Sequence, residues 1–336
     1  DDEAEEEPAA APPAKRQRGA TDGAAASTGK WLPPALRAAA PAAARGGGAE
    51  LPAGTARRLR GLLNRLSEPT IDGVSADLAG LYSEGSAQLL SRALAAATLA
   101  ACVSETRPLE SLSLLHASLL RALAIRVGTH VVSLCAEAFV AAFEARFGAA
   151  ESQPAANVAL LIAQLYTTGA VHCTLVYDLV RRLVDGFGEL ELDVLQLLLR
   201  VAGARMRADD PSALREVIAL VQQKAAAAEA AAAAGSAPPS QRARVFVQMI
   251  TDLKNNKQRA SERDGAGVEQ GALLKWLRRL AAQGREPPPF KAGWDELRDA
   301  ETKGRWWLTG AAWVGRQAGA ADAPAASSSS ADGAGE

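Results

Sequence analysis

The sequence has 336 residues, with 37 Lys and Arg against 38 Asp and Glu and a formal net charge of -1. That balance leaves no molecule-wide field to draw in nucleic acid, so any basic contact must come from a local patch. Hydrophobic residues are 48% and aromatics only 4%, which argues against a β-rich core and for Leu, Val, Ala and Ile packed on helices. Cys102, Cys135 and Cys173 lie far apart inside apolar runs; they read as small buried residues of a reducing compartment, not a disulfide frame. Arg92, Glu110, Arg121 and Arg126 interrupt the longest apolar runs, so no membrane span is expected.

In chain order, residues 1–50 carry an acidic block, Ala/Pro/Gly-rich text and the basic run Lys15, Arg16 and Arg18, a composition that predicts disorder. The basic run reads either as a nuclear localisation signal or as a solvated charge cluster. A first helix is expected from Thr55, as N-cap, to Ser67, with Leu59, Leu62, Leu63 and Leu66 on one stripe and Pro69 after it. Helix two carries Ile71, Val74, Leu78 and Leu81; helix three spans about 86–104; helix four runs from Pro108 to Gly128. Helix five covers about 129–147, helix six runs from Pro154 to Gly169, and helix seven starts near Val171 and ends at the turn Gly186-Phe187-Gly188. Helix eight, about 189–206, is apolar on most sides and is expected at the centre of the array. Asp210 as N-cap with Pro211 at the first helical position opens helix nine, whose alanine tract is expected to stop near 234. Helix ten covers about 241–255, and a further amphipathic helix is expected at about 268–282.

Paired in series, the ten helices make five hairpins at the spacing of HEAT-like repeats: an all-α solenoid, whose product is a surface for a partner. Chemistry of other kinds has little support. His116, His130 and His172 have no ligand partners at helical spacing, and no P-loop, dinucleotide fingerprint or nucleophile elbow is present. The run Glu189, Glu191, Asp193 suits a helix N-terminus better than catalysis. No cofactor, metal or catalytic residue is expected, and the chain reads as a non-enzyme.

Four segments are specific rather than merely periodic: Gly29 to Arg37 (GKWLPPALR), Leu59 to Thr70 (LRGLLNRLSEPT), Ile250 to Lys257 (ITDLKNNK) and Gly304 to Gly315 (GRWWLTGAAWVG). In this order they resemble the motifs of the nucleolar proteins that carry the middle domain of eukaryotic initiation factor 4G, the family of the yeast "suppressor of glycerol defect" protein. Composition and pattern divide the chain into a disordered acidic, Ala/Pro-rich tail over 1–50 that holds the GKWLPPALR segment, a helical-repeat domain over 51–257, a Trp-rich extension over 258–316 packing on or beyond the solenoid, and a disordered tail over 317–336; the resemblance implies that the repeat domain is of the initiation-factor-4G middle-domain type. Family members carry a second helical domain after the GRWW segment, where this sequence turns Ala/Ser-rich; either that domain is lost or the sequence is a piece of a longer one.

The resemblance further implies a scaffold in the nucleolus or nucleus. Its partner would be a DEAD-box RNA helicase of the initiation-factor-4A type, and its process small-subunit (18S) rRNA maturation and ribosome biogenesis on pre-ribosomal particles. The competing reading is a helical-repeat protein that binds RNA itself through Arg57, Arg58 and Arg60, Arg181 and Arg182, or Arg278 and Arg279, with no dedicated helicase. For the helicase, the expected contacts are the two ends of the array: Asn64, Arg65, Ser67 and Glu68 after helix one, and Lys254, Asn255, Asn256 and Lys257 after helix ten. Asn and Lys at those positions also suit a plain helix stop. Trp306, Trp307 and Trp313 read either as a cap on an end of the solenoid or as an exposed interface anchor.

Overall fold

Leucine stripes at helical spacing become helices, and Pro, Gly and capping residues punctuate them. The computed structural model describes residues 50–235, 238–255, 257, 266–284 and 286–308, with the side chains of 266–270 left aside. Ten helices run in series: α1 (Ala53–Asn64), α2 (Ile71–Glu84), α3 (Ala87–Cys102), α4 (Glu110–Arg126), α5 (His130–Gly148), α6 (Ser152–Thr167), α7 (Cys173–Gly186), α8 (Glu189–Asp209), α9 (Pro211–Ala233) and α10 (Gln241–Lys254). They are followed by α11 (Ala266–Ala282) and two short helices, α12 (Trp294–Arg298) and α13 (Ala300–Lys303). Among the described residues the sole β feature is one isolated bridge, Val171 with Phe290. The tails, the GKWLPPALR segment, Lys15, Arg16, Arg18, Asn256 and Trp313 lie outside the described residues.

The caps explain most of the boundaries. Asp210 accepts from the Ser212 and Ala213 amides at 3.1 and 2.9 Å, with Pro211 at the first helical position, as expected. Ser240 accepts from Ala243 N at 3.2 Å. The alanine tract stays helical to Ala233, since nothing in it competes with the backbone. Thr55 does not cap: α1 already starts at Ala53, after Pro52, whose ring holds φ at -50° and whose ψ of 134° leaves it just outside the helix. Between α7 and α8 the left-handed residue is Phe187 (φ 49°), not a glycine. The flanking glycines serve close approach instead, since a Cβ on Gly186 or Gly188 would lie 2.6 Å from a Glu191 carboxylate oxygen.

Consecutive helices pair as five hairpins, α1/α2 through α9/α10. The even helices stack in chain order, α2 on α4 on α6 on α8 on α10; α1, α3 and α5 form one run of the odd layer, and α7 with α9 another. The centre is α6, not α8 as its apolar composition suggested. From Ala155 to Thr167 every α6 residue is buried, whereas α8 carries Glu189, Asp193 and Arg200 along an outward stripe. The segment Ser152–Thr167 contains no charged residue at all, which is the signal that outranks a high leucine count.

The odd layer is completed from outside the ten helices. α5 and α7 do not pack closely on each other; α12 packs against both. Trp294, 2% exposed, meets Phe143 of α5 edge-on at 5.4 Å and donates its indole N–H to Glu144 Oε1 at 2.7 Å. Its backbone N–H donates to Asp178 Oδ2 of α7 at 3.1 Å. Phe290 is tied to the α6–α7 connection in both directions: its N–H donates to Ala170 O and its carbonyl accepts from His172 N, each at 2.9 Å. Further on, the Arg305 guanidinium grips Glu137 of α5 with three contacts of 2.6 to 3.0 Å.

Candidate partner interface

The residues after α1 form a knotted turn. Thr70 Oγ1 accepts from Ser67 N at 2.9 Å, lies 2.7 Å from Ser67 Oγ, and donates to Arg65 O at 2.6 Å. Ser67 is therefore half-buried in the knot, while Asn64, Arg65 and Glu68 stand exposed around it. Thr70 was not singled out from the sequence; its place at the end of LSEPT, as a small hydroxyl after a proline, is the signal that could have found it. At the other end Lys254 closes α10, Asn255 donates to Thr251 O at 3.0 Å, and Lys257 N donates to Asp252 O at 2.8 Å. Lys254, Asn255 and Lys257 are exposed.

The structure does not bring these two groups together. They sit on the first and last hairpins, and because consecutive helices alternate in direction, the end of an odd helix and the end of an even one face opposite edges. A partner touching both must cross the array obliquely. On the edge of the even-helix C-termini, a cleft of about 1130 Å³ opens between α4, α8 and α11, with Arg121, Arg200, Arg205, Arg278 and Glu286 among its lining.

The tryptophans take a middle position. Trp307 is half-buried and meets Phe290 edge-on at 5.9 Å, so it lies against the α6–α7 connection and not over an end of the stack. Trp306 is 62% exposed, T-stacked on Trp307 at 5.7 Å. Three of the seven arginines of the basic groups hold carboxylates of the fold: Arg58 bonds Glu84, Arg181 bonds Asp178 and Glu216, and Arg182 bonds Glu144.

Burial holds three of the array's titratable side chains in their neutral forms. Burial pushes the Cys102 and Cys135 thiols up to about 12, so neither offers a thiolate near neutral pH. Burial pushes the His116 imidazole down to about 4, leaving it neutral beside Thr98 Oγ1 at 3.4 Å. His172 caps α7, accepting from Thr174 N at 3.3 Å. Glu189 and Asp193 share Arg242 of α10 at 2.9 and 2.7 Å. No group of His, Cys, Asp and Glu able to hold a metal ion occurs among the described residues, and none of their helices is long and apolar enough to cross a membrane.

Residues 56–257 match the MIF4G domain. The chain is 33% identical over 263 residues to "Nucleolar MIF4G domain-containing protein 1" of Homo sapiens, covering 77% of this chain and 30% of that protein. It is 26% identical over 271 residues to "Suppressor of glycerol defect protein 1" of Schizosaccharomyces pombe, covering 76% and 34%, and 25% identical over 272 residues to its Saccharomyces cerevisiae namesake, covering 77% and 29%. The chain thus spans about a third of the length of these relatives. With the match running from the start of α1 to the residues just after α10, over five packed helix pairs, the chain belongs to the MIF4G domain family and is similar to its nucleolar members.

Proposed function

We propose that this protein is a non-enzymatic scaffold of the nucleolus that engages an initiation-factor-4A-type DEAD-box RNA helicase during small-subunit rRNA processing. The observation that carries the reading is the coincidence of the MIF4G match, residues 56–257, with the five-hairpin array. The names of the relatives support the nucleolar setting, and the burial of Cys102, Cys135 and His116 supports a scaffold over a catalyst. A helicase of this class has two lobes joined by a flexible linker. A stiff array touching both would hold them near the closed arrangement and lower the orientational entropy cost of assembling the ATP site. Asn64, Arg65, Ser67 and Glu68 at one end and Lys254, Asn255, Asn256 and Lys257 at the other are the proposed grips. Direct RNA binding through the arginine pairs draws less support, because Arg58, Arg181 and Arg182 already hold carboxylates.

The test is recovery of the helicase by the wild-type chain, by Asn64→Ala/Arg65→Glu and by Lys254→Glu/Asn255→Ala. Loss with either double variant is expected, at unchanged helicity. Equal recovery by all three removes both grips, and ATP hydrolysis by the purified chain alone removes the scaffold reading.

A further inference from the structure

The two sides of α11 differ sharply. Leu273, Leu277, Leu280 and Ala281 are buried against the array, while Lys275, Arg278 and Arg279, at i, i+3 and i+4, stand exposed on the opposite side. The other exposed residues of this stretch are Ala272 and Ala282, so the three long cations rise from a low background, and no carboxylate lies among residues 271–282. None of the three cations has an ion-pair partner among the described residues. Elsewhere clustered arginines have carboxylates among them: Arg58 holds Glu84 with Asp77 close by, Arg181 and Arg182 hold Asp178, Glu216 and Glu144, and Arg121, Arg200 and Arg205 hold Glu286, Glu110 and Asp209. Arg278 also lines the cleft of about 1130 Å³ between α4, α8 and α11, where Leu274, Ala281, Val201 and Pro288 give apolar walls.

We propose that the outward face of α11 is a contact for the phosphate backbone of single-stranded RNA. Side chains at i, i+3 and i+4 stand about 5–6 Å apart at Cβ, close to the step between successive phosphates of an extended strand. Magnitudes favour a nucleic acid over an acidic protein segment. An exposed pair between Lys or Arg and a carboxylate is worth about 0–1 kcal/mol, and this face offers no other hydrogen-bonding side chain to hold a peptide. A phosphate strand carries condensed counterions, and each phosphate that is neutralised releases them to the solvent. Its charge also lies in the backbone itself, so a row of cations holds it whatever its sequence. The cleft favours a single strand over a duplex, because the apolar walls beside Arg278 accept an unpaired base, which a duplex keeps in its stack. The face lies outside residues 56–257, the part matched by the MIF4G domain. The contact is therefore separate from the proposed helicase grips and stands or falls without them.

The probe is a labelled oligouridine of about 12 nucleotides, titrated by fluorescence anisotropy into the full chain. Lys275→Gln/Arg278→Gln/Arg279→Gln should weaken binding at least about tenfold at low salt, and its plot of log affinity against log salt should be shallower by about 2, the value for three phosphate contacts on a single strand. Arg92→Gln/Arg215→Gln/Arg244→Gln removes the same charge from exposed arginines of α3, α9 and α10 and should stay within about twofold of the wild type. Every replaced side chain is exposed, so both variants keep the fold. Equal losses in the two variants, an unchanged slope, or no saturable binding by the wild type overturns the proposal. An equally strong and equally α11-dependent hold on polyglutamate of matched charge assigns the face to an acidic protein and overturns it too. A footprint needs no variant: RNA should shield Lys275 from an amine-acylating reagent while the exposed Lys303 stays reactive, and shielding of both or of neither refutes the contact.

Discussion

Replacing Trp294 by Ala tests whether the segment after α10 is part of the array's architecture. Trp294 is 2% exposed, lies edge-on to Phe143 at 5.4 Å and donates to Glu144 at 2.7 Å. Its removal opens a cavity between α5 and α7, which lack close contact of their own, so little collapse can fill the space. A Trp-to-Ala change at such a site costs about 3–5 kcal/mol, a large share of the roughly 5–15 kcal/mol that holds a domain folded. Glu144 keeps Arg182 at 2.6 Å, so its charge is not stranded and the cost is mainly one of packing. Trp306→Ala is the internal control: the side chain is 62% exposed, and its loss should cost about 0.5 kcal/mol or less. Urea unfolding followed by far-UV circular dichroism gives both values from the midpoint at constant slope. If Trp294→Ala costs no more than Trp306→Ala, then α5 and α7 close without α12, and the account of the odd layer given above is wrong.

Three further outcomes are expected. Folded His116 takes its proton only near pH 4, while the unfolded chain takes it near 6.5; stability is therefore complete above 6.5 and falls as pH drops towards 4. Between pH 7 and pH 5 the loss should be about 2 kcal/mol larger in the wild type than in His116→Asn, read from urea midpoints. Arg305→Gln breaks a pair whose side chains are 16% and 17% exposed and should cost about 2–4 kcal/mol, with Arg305→Gln/Glu137→Gln recovering part of it in a double-mutant cycle. Asp210→Ala removes the acceptor for two amides of α9 and should lower stability by about 1 kcal/mol in the same assay.

Much of the array was legible because each helix announces itself twice, by its leucine period and by its ends. Asp210-Pro211 marks α9 and Pro69 with Gly85 brackets α2, so ten helices and their pairing follow from the chain. Two things were not legible. The position of α6 at the centre depends on which helix lacks an outward charged stripe, a relation among helices that no single window shows. The place of Trp294 and Arg305 depends on partners 150 and 168 residues away, beyond the reach of any local pattern. Of the proposed grips, Asn64, Arg65, Lys254 and Asn255 are exposed, while Ser67 is engaged with Thr70 in shaping the turn. The unforeseen feature is the arginine-lined cleft, since Arg121, Arg200 and Arg278 come from three separate helices.

The wedge at α12 also bears on how the chain must assemble. Stacked hairpins of this kind can condense one after another as they emerge, each needing only its predecessor. Here the gap in the middle is filled by residues synthesised after everything around it, so the central pairs wait, incompletely covered, until about residue 308 is available. A fragment ending at residue 257 lacks the Trp294 ring that covers Phe143, so the apolar seam between α5 and α7 is the last part of this architecture to close.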